Sequence, residues 1–191
     1  FAGAIDLSIG SVLVLAATLF GILAQRGAPV WLCSSVCVIS AWILVTGNGL
    51  LIRYLRLPAI IVTLAGLPLY RGFALMLADA SIPNFTGNIS LHDPSYKLPG
   101  TVYPGWILAA TLVVVGFWAW YGRGHREWLA LGSSEEACRL MGLDPGRLLT
   151  KAFCVGGAFL GLAALIYTTR IQAIEPARMA LGLELQVVGA V

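Results

Sequence analysis

Ala4-Ile5-Asp6-Leu7-Ser8-Ile9-Gly10-Ser11 places one acid, two hydroxyls and a glycine directly ahead of a long uncharged run. No charged residue follows between Asp6 and Arg26, and residues 12–24 are almost wholly apolar. A carboxylate at the head of a membrane-length helix is costly unless it caps that helix or faces a polar cavity. Asp6 or Ser8 as N-cap, satisfying free backbone N–H groups, is one reading. Asp6 facing a cavity is the other, and the two are compatible.

Composition sets the environment. The chain of 191 residues is 59% hydrophobic and 11% charged, with a mean hydropathy of +0.87, whereas soluble domains carry roughly 25% charged residues. Uncharged runs cover residues 7–25, 27–52, 57–70, 98–122 and 152–169. A membrane crossing needs about 20 mostly apolar residues, and the run from 57 reaches that length only by continuing through Arg71 to 77. The sequence therefore predicts an all-α, polytopic transmembrane bundle forming one domain over 1–191. Five crossings are expected near 7–25, 30–52, 58–77, 105–121 and 150–169. A further helix is expected to begin over 178–191, and the opening on Phe1 and close on Gly189-Ala190-Val191 read as a fragment incomplete at both ends.

Lysine and arginine fix the orientation. The segment 122–151 carries Arg123, Arg126, Arg139, Arg147 and Lys151, and Arg53 and Arg56 lie two spans earlier. The loop 78–105 has only Lys97 against Asp79 and Asp93. Both basic segments are placed in the cytoplasm, so the net charge of +3 reflects topology and gives no reason to invoke nucleic acid. Tyr103 and Trp106 at one end of the fourth span, with Trp118, Trp120 and Tyr121 at the other, read as interfacial belts in contact with lipid. The 78–104 loop, with Pro83, Gly87, Pro94, Pro99 and Gly100, is expected outside and largely irregular. Its Asn84-Phe85-Thr86 and Asn88-Ile89-Ser90 match a glycosylation acceptor pattern that short polar loops also produce by chance. The four cysteines lack metal-ligand spacing and read as small buried hydrophobes. No metal or other cofactor is implied.

The 122–151 segment holds a short helix that no crossing requires. Ser133 and Glu136 form a capping box, Glu135 and Glu136 sit toward the positive end, and Arg139 sits toward the other. Gly142 suits a left-handed stop, and Pro145 prevents continuation. Two turns with Ala137, Leu140 and Met141 on one side are not stable alone in water. They must dock on the membrane surface, on this protein's own helices, or on a cytoplasmic subunit.

Four motifs now stand in order: the opening octapeptide, Asn48-Gly49-Leu50-Leu51, Leu57-Pro58-Ala59-Ile60-Ile61-Val62-Thr63-Leu64, and Tyr70-Arg71-Gly72. Together they resemble the inner-membrane permease of bacterial ABC importers for ribose, xylose, rhamnose and autoinducer-2. The stretch Leu131-Gly132-Ser133-Ser134-Glu135-Glu136-Ala137-Cys138-Arg139-Leu140-Met141-Gly142-Leu143 is similar to that family's ATPase-contact loop. Ala4 stands where glycine is usual, and Cys138 where a second alanine is usual. The resemblance implies a multi-pass protein of the bacterial inner membrane. Its partners would be an ABC ATPase subunit, a periplasmic or extracellular solute-binding protein, and a second permease copy or related permease. It implies Ser133, Glu135, Glu136, Ala137, Arg139 and Gly142 as ATPase-contact residues. The sequence has no glycine-rich phosphate loop ending in Gly-Lys-Ser/Thr and only two lysines, Lys97 and Lys151. ATP hydrolysis is therefore expected on another chain, and this one is read as a transport subunit without covalent chemistry.

Asp6, Ser8, Ser11, Asn48, Thr63 and Arg71 are the candidates for the substrate pathway, since uncharged polar groups suit a neutral polyol. Each has a plainer reading. The hydroxyls can bond back to helix carbonyls, Asn48 can end its helix, and Arg71 can snorkel outward. Gly157 and Gly161, one turn apart, offer a close-packing face. Two alternatives stay open: a permease of the branched-chain amino-acid branch, and an ion-coupled carrier, which would need charges within several spans.

Overall fold

The computed structural model describes residues 5–91, 94–97, 105–106, 109–111, 113, 127, 130–132 and 135–189. Its helices are α1 (Ile9–Gln25), α2 (Val30–Leu55), α3 (Ala59–Ser81), α4 (Glu135–Leu140), α5 (Pro145–Ile171) and α6 (Leu183–Gly189). A short 3-10 turn covers Pro94–Lys97, and two dipeptide strands, β1 (Ile89–Ser90) and β2 (Ala173–Ile174), pair antiparallel.

α1 is the core, with α2, α3 and α5 packed against it. Thirteen of its seventeen residues are buried, which an amphipathic surface helix would not allow. Burial on all sides is possible because its hydroxyls are satisfied within the helix. Ser11 donates to the Ser8 carbonyl at 2.8 Å and Thr18 to the Val14 carbonyl at 2.8 Å. The outward faces of α2 and α3 carry Trp31, Ile43, Ile61, Leu69 and Phe73, all exposed, as lipid-facing surfaces do.

α2 and α5 form the tightest pair, and glycine is the reason. A Cβ at Gly161 would lie 2.7 Å from the Val38 carbonyl oxygen, and one at Gly157 would lie 3.2 Å from the Trp42 carbonyl oxygen. The two backbones meet through these positions as small-residue membrane interfaces do. The expected close-packing face is thus present, with α2 as its partner.

Among the described residues three helices are long and apolar enough to cross a membrane: α2, α3 and α5. The expected five crossings are matched at three positions and are not confirmed at the other two. Residues 7–25 yield a 17-residue helix enclosed by the others, and most of 105–121 lies outside the described residues. α3 runs to Ser81, beyond the expected 77, and α5 starts at Pro145, ahead of 150. In the C-terminal stretch residues 176–182 form turns and the helix begins only at Leu183.

The loop after α3 is also less irregular than expected. Ile89 pairs with Ile174, the Leu91 N–H donates to the Gln172 carbonyl at 2.9 Å, and Gln25 Nε2 donates to the Ser90 carbonyl at 2.7 Å. Gly21 admits this flap onto α1, since a Cβ there would sit 2.7 Å from Ile174 Cδ1. Tyr96 donates to the Ala28 carbonyl at 2.8 Å and meets Phe20 edge-on at 6.0 Å. Ile89 is 1% exposed, while the neighbouring Asn88 is open. In a chain with its native cysteines replaced, Asn88→Cys should react with an impermeant thiol reagent added to intact cells and Ile89→Cys should resist it. Equal labelling at both positions would show that the flap is not seated, and labelling of Asn88→Cys only after lysis would reverse the orientation.

Candidate functional site

Tyr70 on α3 donates its hydroxyl to Asn48 Oδ1 on α2 at 2.5 Å. Asn48 Nδ2 donates to Ser8 Oγ at the head of α1 at 2.9 Å. The Ser8 hydroxyl and backbone N–H both donate to Asp6 Oδ1, at 2.7 and 2.8 Å. Every donor in this chain points toward the carboxylate, so three helices are joined by one ordered series that ends on Asp6. Ser8 and Asn48 are fully buried and Tyr70 nearly so.

The depth of this series follows from helix rise. Asn48 lies seven residues before the end of α2, about 10 Å. Tyr70 is eleven residues from either end of α3, about 16 Å. The head of α1 therefore starts inside the layer that α2 and α3 cross, where an unpaired amide or hydroxyl is expensive. Asp6 also lines a cavity of about 370 Å³ with Ile9, Val45, Leu149 and Phe153.

Capping takes a form that was not expected. Ser8 occupies the N-cap position with φ −86° and ψ −2°, and its side chain makes no cap bond. Asp6 instead accepts the N–H of Ser8 itself, two residues on, in the manner of an Asx turn.

The structure gathers Asp6, Ser8 and Asn48 into this series and leaves the other candidates outside it. Ser11 bonds back to the Ser8 carbonyl, and Thr63 to the Ala59 carbonyl at 3.0 Å. Arg71 turns to the carbonyls of Ala177 at 3.0 Å and Met179 at 3.2 Å, with Pro176 at 3.5 Å. Tyr70 is the residue that sequence reasoning missed. The signal was available: Thr63, Gly66, Tyr70, Ala74 and Ala78 form the buried stripe of α3, spaced as one helical face.

On the Arg53 side, α4 ends in a full Schellman motif. Gly142 has φ +73°, its N–H donates to the Arg139 carbonyl at 3.0 Å, and the Leu143 N–H donates to the Cys138 carbonyl at 2.9 Å. Pro145 does more than stop α4. It opens α5 at the first helical position, with Asp144 Oδ1 accepting the N–H groups of Gly146 and Arg147 at 3.0 and 3.2 Å. Cys138 of α4 is buried, packed with Leu131 and Leu148. Leu140 and Met141 are 85% and 57% exposed, so the side of α4 expected to dock is not covered by the described residues. Ser133 lies outside the described residues, as do the side chains of Glu135 and Ala137, while Glu136 and Arg139 are exposed. Asp144 also pairs with Arg53 at 3.4 Å and Arg147 at 3.1 Å. Those pairs put the two basic segments on one side, as the charge pattern required.

A family model described as branched-chain amino acid transport system / permease component matches residues 1–191. The chain belongs to that family. It is 28% identical to the autoinducer 2 import system permease protein LsrC of Escherichia coli (strain K12 / DH10B), over 97% of this chain and 54% of that protein. The ribose import permease protein RbsC of Haemophilus influenzae is 29% identical over 90% of this chain and 54% of its own length. LsrC of Photorhabdus laumondii is 27% identical, over 97% and 56% respectively. The chain thus spans about half the length of the curated relatives it matches. No solved structure matches it.

Two outcomes follow from the site. Tyr70→Phe strands Asn48 Oδ1 and should cost about 1–3 kcal/mol, read as a lower thermal unfolding midpoint of the purified protein. Combined with Asn48→Ala it should be non-additive by about 0.5–3 kcal/mol, and strict additivity would mean the two groups do not interact.

The Asp144 carboxyl is held below its ordinary value of 3.8, first by the Arg147 backbone N–H, and also by the charges of Arg53 and Arg147. Because the folded value is depressed, the cap contributes fully above pH 3.8 and is lost as pH falls through the lower folded value. Amide exchange at Gly146 and Arg147 should accelerate on that acid limb, and Asp144→Ala should abolish the step.

Proposed function

We propose that the chain is part of a permease subunit of an ATP-binding-cassette importer in the bacterial inner membrane. In this reading it lines part of the route for a sugar or sugar-like solute. The family assignment supports the permease role, and relatives named for ribose and autoinducer 2 import support the solute class. The observation that carries the reading is the buried Tyr70–Asn48–Ser8–Asp6 series. It offers hydroxyl, amide and carboxylate oxygens, which can exchange hydrogen bonds with a neutral polyol without holding it as an ion pair would.

An ion-coupled carrier is less favoured, because Arg71 is occupied by backbone carbonyls. The branched-chain amino-acid branch stays as a second reading, favoured by the description of the family model. A zwitterionic substrate would need partners for both its charges.

Partners follow the same proposal. Residues 133–142 would seat in the ATPase subunit, with exposed Leu140 and Met141 supplying apolar contact and Gly142 setting the exit direction. Ser133, Glu135, Glu136, Ala137 and Arg139 belong to the same contact. A solute-binding protein would dock on the opposite side, where the 82–91 flap lies, and a second permease would complete the pathway. ATP hydrolysis is assigned to the other chain.

The test uses the full-length permease with its ATPase and binding protein in cells lacking their own. Uptake of labelled ribose in preference to labelled leucine supports the sugar reading, and the reverse preference supports the second. Leu140→Asp with Met141→Asp should reduce ATPase co-purification by roughly tenfold, the equivalent of about 1.4 kcal/mol, at unchanged membrane abundance. Retention of both binding and uptake would reduce 133–142 to a connecting loop.

A further inference from the structure

Residues 175–182 follow an unusual course. At Ile174 the chain is level with Gly21 of α1, and at Ala180 it is level with Gly10. A Cβ at Gly10 would collide with the Glu184 carboxylate and fall 3.0 Å from the Ala180 carbonyl oxygen. Gly21 and Gly10 are eleven residues apart, about 16 Å along the helix. The segment therefore turns back after α5 and descends beside α1 before α6 begins. It does so in turns, with Pro176 fully buried and positive φ at Ala180 (57°) and Gly182 (77°). Non-helical backbone at membrane depth persists only where its polar groups are satisfied within the protein.

Arg71 meets that requirement. It lies ten residues from Ser81 and twelve from Ala59, about 15 and 18 Å from the two ends of α3. Its Nη1 donates to Ala177 and Pro176 carbonyls, and its Nη2 donates to the Met179 carbonyl. The buried Nε has no partner among the described residues, so the guanidinium is committed to this neighbourhood and does not reach toward an interface. A planar fork reaches these carbonyls from two separate nitrogens in fixed directions, whereas a lysine has its three donors on one compact ammonium and spans them poorly.

We propose that Arg71 is a positioning residue: it anchors the re-entrant segment 175–182 at membrane depth through its backbone carbonyls and does not contact solute. The anchor couples α3 to the C-terminal segment, so α6 takes its place from α3 as well as from α5. This role goes beyond the permease reading, and its first readout does not depend on transport.

The experiment introduces Met179→Cys, a buried position, into the full-length protein with native cysteines replaced, in open membrane fragments. Labelling by a water-soluble maleimide should be slow with Arg71 intact. Arg71→Gln should raise the rate at least about fivefold, and Arg71→Lys, which reaches fewer carbonyls, should give an intermediate rate. If Arg71→Gln does not accumulate, the Arg71→Lys increase decides the matter. Uptake by Arg71→Lys should show a lower maximal rate with unchanged KM. Unchanged labelling in both variants overturns the proposal, and unchanged labelling with a raised KM would assign Arg71 to the solute instead. Failure of ribose and leucine uptake with the labelling increase intact would overturn the transport reading alone.

Discussion

A polar group at membrane depth has no water to turn to, and the head of α1 and the turns of 175–182 both answer that constraint. The head of α1 starts inside the layer crossed by α2 and α3, so its first residues cannot be hydrated as an ordinary helix start would be. Asp6, Ser8, Asn48 and Tyr70 supply what water does not. Ser11 and Thr18 return their hydroxyls to their own helix, which leaves α1 free to be enclosed on all sides. The turns of 175–182 receive the same service from Arg71.

Packing then follows two rules. Where helices meet through side chains, small and β-branched residues fill the contact, as along buried Val12, Val14, Ala16 and Ala17 of α1. Where they meet through backbones, glycine is obligatory, as at Gly157 and Gly161 against α2. Without a hydrophobic driving force between helices in lipid, close van der Waals approach carries much of the association. α2 and α5 achieve it with Gly157 and Gly161 on one helix and Gly49 on the other, where a Cβ would lie 2.7 Å from Phe153 Cβ.

The membrane class, the runs that become α2, α3 and α5, and the stop at Gly142 were legible because charge-free length and glycine chemistry are local signals. Asp6, Ser8 and Asn48 were legible as polar groups in apolar surroundings. Their connection was not, because it joins residues 40 positions apart across three helices. Tyr70 stood in a recognised motif, but nothing local shows that its hydroxyl meets Asn48, 22 positions away. The carbonyl contacts of Arg71 were not legible, since its partners lie more than 100 positions away. The apolar side of α4 was legible, but not that Cys138 is buried within the chain while Leu140 and Met141 stay exposed. A helix of six residues takes its orientation from what it packs on more than from its own pattern. The flap of β1 on β2 left no local trace, for each strand is two residues long.

The two residues between Gly142 and the first turn of α5, Leu143 and Asp144, join two capped ends with little slack. α5 is 27 residues long, about 40 Å from the Asp144 joint to its far end. It therefore acts as a long lever with a short, stiff elbow. A tilt of about ten degrees at the elbow would swing the Gln172 end through about 7 Å, more than the roughly 4.8 Å between paired strands. The Ile89–Ile174 pair would have to part, or the 82–91 flap would have to ride along. A displacement applied at one face of the membrane thus becomes the opening or travel of a latch at the other.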